Sequence, residues 1–213
     1  MSSVLADFLE RARQRLRAEP PAALHVPGDA AEHGDHFLND AAAATFVQNA
    51  SKPAAVLIPI IDRPEGASIL LTERAGTLRN HSGQIAFPGG RIDPGDEGPL
   101  SAALREAEEE IGLARGLVRP LGYLDLYLTG SGYRIAPVVG LVTPGFPLTL
   151  NPAEVADTFE CPLAFLMDPA NHRVEEREWR GFKRRAFAMP WSDRNIWGVT
   201  AGIVRQLYDR IYG

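Results

Sequence analysis

Residues 70–113 read LLTERAGTLRNHSGQIAFPGGRIDPGDEGPLSAALREAEEEIGL, and this stretch decides how the rest of the chain is read. Its last part has a helical pattern, with Pro99 suited to the first turn and Gly112 to the C-terminal cap. At 100° per residue, Leu100, Leu104, Ala107 and Ile111 fall within about 60° of one another and predict the buried stripe. Glu106, Glu109 and Glu110 share a neighbouring face of about 100°, while Glu108 points elsewhere. Ala102 and Ala103 lie towards the carboxylate face, where small side chains permit close approach. Arg105 precedes Glu109 by four residues and can pair with it. A solvated acidic face would account for most glutamate-rich helices. Here the acids crowd the last turn, against the helix dipole, and clustered oxygen ligands are what a hard cation such as Mg²⁺ requires.

Outward from this stretch, the composition limits the classes of function. The chain has 213 residues, of which 45% are hydrophobic and 23% charged, as in a globular domain with one sizeable core. A net charge of -5 argues against a general nucleic-acid binder. Lys52 and Lys183 are the only lysines, so arginine supplies nearly all the positive charge. Cys161 is the only cysteine, which excludes an intrachain disulfide and suits a reducing compartment. The first twenty residues interrupt their apolar positions with charges, and no window has the apolar length of a membrane span. The expected location is cytoplasmic, with no membrane or nucleic-acid partner.

The N-terminal fifty residues read as an extension. Val4–Arg17 has amphipathic helical spacing ended by Pro20-Pro21, residues 20–40 are a loose linker whose His25, His33 and His36 are surface residues, and Asp40–Gln48 is a short helix. From residue 51 to 213 the pattern is that of one mixed α/β domain. Ala54–Ile61 is a buried strand; Ser68–Thr72, Gln84–Phe87, Leu121–Tyr127, Ile135–Val142 and Phe182–Ala188 are further strands. Ile196–Tyr212 reads as a C-terminal helix. Trp197, in the apolar run IWGV, is expected in core packing ahead of a place beside substrate; Tyr133 is a candidate to flank substrate.

Arg105-Glu106-Ala107-Glu108-Glu109-Glu110-Ile111-Gly112-Leu113 resembles the second half of the Nudix box, R-E-U-x-E-E-x-G-U, and Gly89-Gly90 stands near where that box begins. Fourteen residues separate Gly90 from Arg105, one more than the pattern G-x5-E-x7-R-E allows. The first glutamate of the box therefore falls on Asp96 or Glu97. The lengthening is similar to that of the coenzyme A pyrophosphatase branch. The further signature L-L-T-x-R-[SA]-x3-R-x3-G-x3-F-P-G-G is met at Leu70, Leu71, Thr72, Arg74, Ala75, Arg79, Gly83, Phe87, Pro88, Gly89 and Gly90. Gly130-Ser131-Gly132-Tyr133, Asn151-Pro152-Ala153-Glu154-Val155 and Ile196-Trp197-Gly198 also resemble that branch.

The resemblance implies a Nudix fold, a mixed β-sheet sandwiched between α-helices. It implies a Mg²⁺-dependent pyrophosphohydrolase, with Mn²⁺ as a substitute, acting on coenzyme A or acyl-CoA. Glu106 and Glu110 would be metal ligands and Glu109 a third ligand or the general base. Glu154 would be a remote catalytic carboxylate, or else an acid favourable to a helix N-terminus. Arg105 is assigned to orienting Glu109. Arg74, Arg79 and His81 are substrate-binding candidates for the diphosphate or 3′-phosphate, though Arg74 could instead pair with an acid of the box. Gly89 and Gly90 would allow backbone approach to metal and phosphate. Alternatives are a Nudix hydrolase for ADP-ribose, NADH or a nucleoside triphosphate, and a non-catalytic nucleotide sensor. A homodimer is compatible with the sequence but not derivable from it.

Overall fold

The computed structural model describes residues 2–25, 33–39, 50–76, 83–179 and 182–213. In chain order its elements are helix α1 (Ser3–Arg15), strands β1 (His33–Gly34), β2 (Lys52–Ile61), β3 (Ser68–Arg74), β4 (Ile85–Ala86) and β5 (Gly89–Arg91), and helix α2 (Pro99–Ile111). Strands β6 (Val118–Tyr123), β7 (Tyr127–Leu128), β8 (Tyr133–Val142) and β9 (Val155–Pro162) follow, then the single turn α3 (Leu163–Leu166). Strands β10 (Arg173–Trp179), β11 (Phe182–Trp191) and β12 (Arg194–Trp197) lead to helix α4 (Val199–Tyr212).

The run KPAAVLIPII makes β2 the centre of the sheet because it has apolar residues for both faces. Ala55, Leu57 and Ile61 pack with Ala102, Ala103, Ala107 and Ile111 of α2. Ala54, Ile58 and Ile60 pack on the other face, in the core that holds Leu5 and Phe8 of α1 and Ile203, Val204 and Leu207 of α4. On one edge β2 pairs in parallel with β8 along its whole length. Its other edge is divided between β5, opposite Ala54–Val56, and β3, opposite Ile60 and Ile61. Pro59 falls between those two partners, where a missing N–H leaves no ladder bond unmade. Beyond β8 lie β6 and β7, both antiparallel to it, and β1 joins β7 in parallel. The sheet is therefore mixed and lies between helices, as the fold class expected. A second antiparallel sheet, β10-β11-β12, brings β11 against α4.

Several expectations are corrected. Leu121–Tyr127 is not one strand: β6 has an irregular register between Pro120 and Gly122 and ends at Tyr123, and β7 begins anew at Tyr127. Ile196 and Trp197 end a strand, and the helix starts at Val199 after Gly198 turns at φ +66°. Strand β10 was not foreseen, because its sequence RVEEREW is dominated by charge. The linker over 20–40 holds a 3-10 turn at Ala22–His25 and strand β1, and Nδ1 of His36 is buried. The buried face of α2 is Ala102, Ala103, Ala107 and Ile111, with Leu100 and Leu104 only partly covered. The alanines let the helix approach the sheet closely. The helix expected at Asp40–Gln48 lies outside the described residues.

Candidate active site

Two glycines of β5 determine how α2 meets the sheet. Gly89 has φ +154°, and a Cβ there would stand 2.4 Å from the Ala55 carbonyl oxygen and 2.7 Å from Val56 Cα. Only glycine lets β5 lie so close to β2. A Cβ on Gly90 would stand 2.5 Å from Oε1 of Glu106, so the carboxylate rests directly against backbone. The Gly89 N–H donates to Oε2 of Glu110 at 3.1 Å.

Glu154 arrives from a distant segment that the end of α2 itself captures. Gly112 takes φ +70° and stops the helix. The N–H groups of Asn151 and Thr149 then donate to the carbonyls of Glu110 and Ile111 at 2.9 and 3.0 Å, satisfying acceptors left open at the helix end. Asn151 also donates through Nδ2 to Oε1 of Glu154 at 3.2 Å, and the Ala75 N–H donates to the Glu154 carbonyl at 2.8 Å. One oxygen from each of Glu106, Glu110 and Glu154 consequently lies within 4.8 Å of the others.

Two of the three carboxylates, Glu106 and Glu110, are held where their charge is disfavoured. Glu110 is only 3% exposed, and its nearest cation, Nη1 of Arg74, is 3.9 Å away. Burial pushes its carboxyl from 4.5 up to about 7, opposed by the Gly89 N–H and Arg74 and reinforced by Glu106 and Glu154. Glu106 is raised too, first by burial, with Arg105 opposing. Three converging oxygen donors, with burial disfavouring the charge of Glu106 and Glu110, match a hard divalent cation, which would reverse that penalty.

Arg105 braces the acidic helix. Its Nε and Nη2 donate to Asp96 at 3.1 and 3.0 Å, and its Nη1 donates to Glu106 and Glu109 at 3.0 and 3.1 Å. Hydrogen bonding to Arg105 lowers the Asp96 carboxyl, and the same contact raises the guanidinium. Of the two acids left open by the lengthened box, Asp96 makes these bonds to Arg105 and Glu97 is exposed. The signal was the turn Asp93-Pro94-Gly95-Asp96, in which Asp93 N–H donates to Asp96 Oδ2 at 2.9 Å. Glu109 pairs with Arg105 as its spacing predicted, and its side chain is 56% exposed, outside the trio.

The trio opens into a cleft of about 1270 Å³ between the sheet and the α4–β11 layer. Arg74, Gly89, Gly90, Tyr133 and Trp197 line it, so Trp197 is a cleft residue where core packing was expected. Strand β12 ends there, which leaves the indole on the wall. The Nε of Arg74 is buried and has no acceptor among the described residues. Arg79 and His81 lie outside the described residues. Lys52, Asp35 and Arg184 also line the cleft, none of them singled out from sequence. They are far apart in the chain, and their meeting depends on strand pairing.

Residues 51–195, more than half of the chain, match the family model of the NUDIX domain. A Photorhabdus laumondii protein named "Uncharacterized Nudix hydrolase NudL" is 42% identical over 161 residues, covering 76% of this chain and 86% of that one. A Yersinia pestis protein of the same name is 43% identical over 161 residues, covering 76% and 80%. Among solved structures, a C. elegans Ap4A hydrolase binary complex aligns with a TM-score of 0.46 at 20% identity, over 52% of this chain and 80% of that one. The NUDIX domain of Shewanella oneidensis NrtR complexed with ADP ribose aligns with a TM-score of 0.45 at 17% identity, over 74% and 86%. By the extent of the domain match and the identity to the NudL proteins, the chain belongs to the Nudix hydrolase family.

Proposed function

We propose that this Nudix hydrolase cleaves the diphosphate of coenzyme A or acyl-CoA, releasing 3′-phosphoadenosine 5′-phosphate and (acyl-)4′-phosphopantetheine. The observation that carries the hydrolytic part is the convergence of Glu106, Glu110 and Glu154 at a cleft. The choice of coenzyme A rests on the signature from Leu70 to Gly90.

In this reading Glu106 and Glu110 hold a divalent cation, Mg²⁺ or in its place Mn²⁺. When bound, such an ion neutralises diphosphate charge and lowers the pKa of a coordinated water. Glu154 reaches the trio from another element and is assigned to accept the proton of the attacking water. Glu109 and Arg105 act as positioning residues: Arg105 fixes the Glu106 carboxylate while Asp96 fixes Arg105. Arg74 lies at the same end of the cleft, and its buried Nε–H suits a phosphate oxygen. The Gly89 N–H holds Glu110 in its rotamer.

The test is product identification after incubating purified protein with Mg²⁺ and coenzyme A, dephospho-CoA, ADP-ribose, NADH and nucleoside triphosphates. Preferred release of 3′-phosphoadenosine 5′-phosphate from coenzyme A supports the reading. Faster turnover of ADP-ribose or NADH reassigns the substrate, and tight binding without turnover of any of them makes the protein a nucleotide sensor.

A further inference from the structure

One row of paired residues crosses the sheet beneath the cleft. Arg91 on β5 faces Ala54 on β2, which faces Ile135 on β8, Tyr127 on β7 and finally His33 on β1. All five line the cleft. Four strand-to-strand steps of about 4.8 Å make the row roughly 19 Å long. It begins beside Gly90 and Glu106 and ends at the segment His33–Asn39, which stands across its far end.

That segment is fastened on both sides. The Asp35 N–H donates to the Leu128 carbonyl at 2.9 Å, and the Asp35 carboxylate accepts from Tyr127 Oη at 3.0 Å and Gly130 N–H at 2.7 Å. Asn39 exchanges two hydrogen bonds with the backbone of Arg185 on β11, at 2.9 and 3.0 Å. A Cβ on Gly34 would stand 2.5 Å from the Leu128 carbonyl oxygen, so Gly34 is held tight against β7. Phe37 is 68% exposed and also lines the cleft, placing an exposed aromatic ring on this wall.

We infer that the His33–Asn39 segment is the end wall of a trough that receives the uncharged arm of the substrate, and that it limits the length of the attached acyl chain. The inference rests on the coenzyme A reading above. An extended chain advances roughly 1.2 Å per bond, so the about thirteen bonds from phosphorus to sulfur in phosphopantetheine take roughly 15 Å. A row of ~19 Å that ends on the wall itself leaves at most about 4 Å beyond the sulfur, room for no more than an acetyl group. The middle of the row, Ala54, Ile135 and Tyr127, carries no charge and suits the arm, while Lys52 and Arg184 also line the cleft. Asp35 and Asn39 act through the wall they hold and are positioning residues.

The experiment measures kcat and KM for release of 3′-phosphoadenosine 5′-phosphate from coenzyme A, acetyl-CoA and palmitoyl-CoA. It uses the full chain, Asp35→Ala and Asn39→Ala, each checked for folding by circular dichroism. The expected result is a wild-type kcat/KM for palmitoyl-CoA about tenfold or more below that for acetyl-CoA, arising mainly in KM. In the variants that ratio rises several-fold towards one. Asn39→Ala removes the side-chain bonds to β11 and the one to the Asp35 carbonyl at 2.6 Å, leaves the Asp35 carboxylate in place, and keeps the test open should Asp35→Ala not fold. Equal wild-type use of the two thioesters overturns the inference, as does an unchanged ratio in folded variants. If no coenzyme A species is cleaved at all, the substrate reading fails and the inference falls with it.

Discussion

Gly90 and Glu106 are in direct contact: a methyl group on the glycine would stand 2.5 Å from the carboxylate. The obstructed atoms are the far end of a flexible side chain, so Gly90→Ala can be accommodated by turning Glu106 aside. Gly89, on the next peptide, faces the Ala55 carbonyl and Val56 Cα, which cannot turn aside. The two glycines therefore differ: Gly90 leaves room for a site carboxylate, while Gly89, besides donating to Glu110, is required by the fold.

Gly90→Ala is expected to melt within about 1 kcal/mol of wild type while losing roughly ten- to hundredfold in divalent-metal affinity. Gly89→Ala should instead lose several kcal/mol, since it combines a backbone clash with a φ that only glycine adopts readily. Thermal melts and metal titrations of both variants check this, and the reverse pattern would overturn the division.

Glu110→Gln should raise stability and abolish function together. The shift from 4.5 to about 7 places a penalty on the order of 3 kcal/mol on the buried carboxylate above pH 7. Neutralising the group removes much of that penalty, so the metal-free variant should gain about 1–2 kcal/mol at pH 8. Hydrolysis should fall by at least about a hundredfold. Glu106→Gln should lose activity similarly while remaining folded. Near-normal turnover by either variant excludes it as a metal ligand.

The same shift gives a pH dependence with a defined sign. In the folded protein Glu110 keeps its proton above the pH at which the unfolded chain releases it. The stability this contributes is complete below about 4.5 and is lost as pH rises through about 7. Glu106, also raised, contributes in the same direction. Metal-free protein should thus lose stability across this window relative to Glu110→Gln. Apparent Mg²⁺ or Mn²⁺ affinity should rise with pH up to about 7, with proton release visible by calorimetry in buffers of different ionisation enthalpy. Affinity flat from pH 5 to 8 would contradict it.

Much of this was legible in the sequence, for identifiable reasons. Strand β2 and helix α2 announce themselves because their burial follows local periodicity, and Pro99 and Gly112 mark the helix ends. The pairing of Arg105 with Glu109 follows from helical spacing alone. Proximity across the chain was beyond such rules. Asp35 meets Gly130 only because β1 joins β7, and neither two-residue strand has a periodic signal. The strand–helix boundary at Trp197 and Val199 was misplaced because IWGV is equally apolar in either state, and only Gly198 at φ +66° divides it. Glu154 was found by resemblance; its physical cause, the capping of α2 by Asn151 and Thr149, appears only in three dimensions.

The lengthened turn before α2 supplies the last prediction. Asp96 and Glu97 are adjacent acids, but Asp96 has a side chain only 6% exposed and holds Arg105 with two hydrogen bonds, while Glu97 is exposed. Removing Asp96 leaves the guanidinium, itself 18% exposed, with an unbalanced pull on Glu106 and Glu109. Asp96→Ala should cost about 1–3 kcal/mol of stability, because one partner of a shielded pair is left behind. Its larger effect should be on turnover, roughly ten- to hundredfold, as Glu106 is drawn from the trio. Glu97→Ala should change either quantity by no more than about 0.5 kcal/mol or its kinetic equivalent. Measuring kcat, metal affinity and Tm for the two variants side by side decides which acid replaces the first glutamate of the box. Loss of activity in Glu97→Ala with Asp96→Ala unaffected would reverse the assignment.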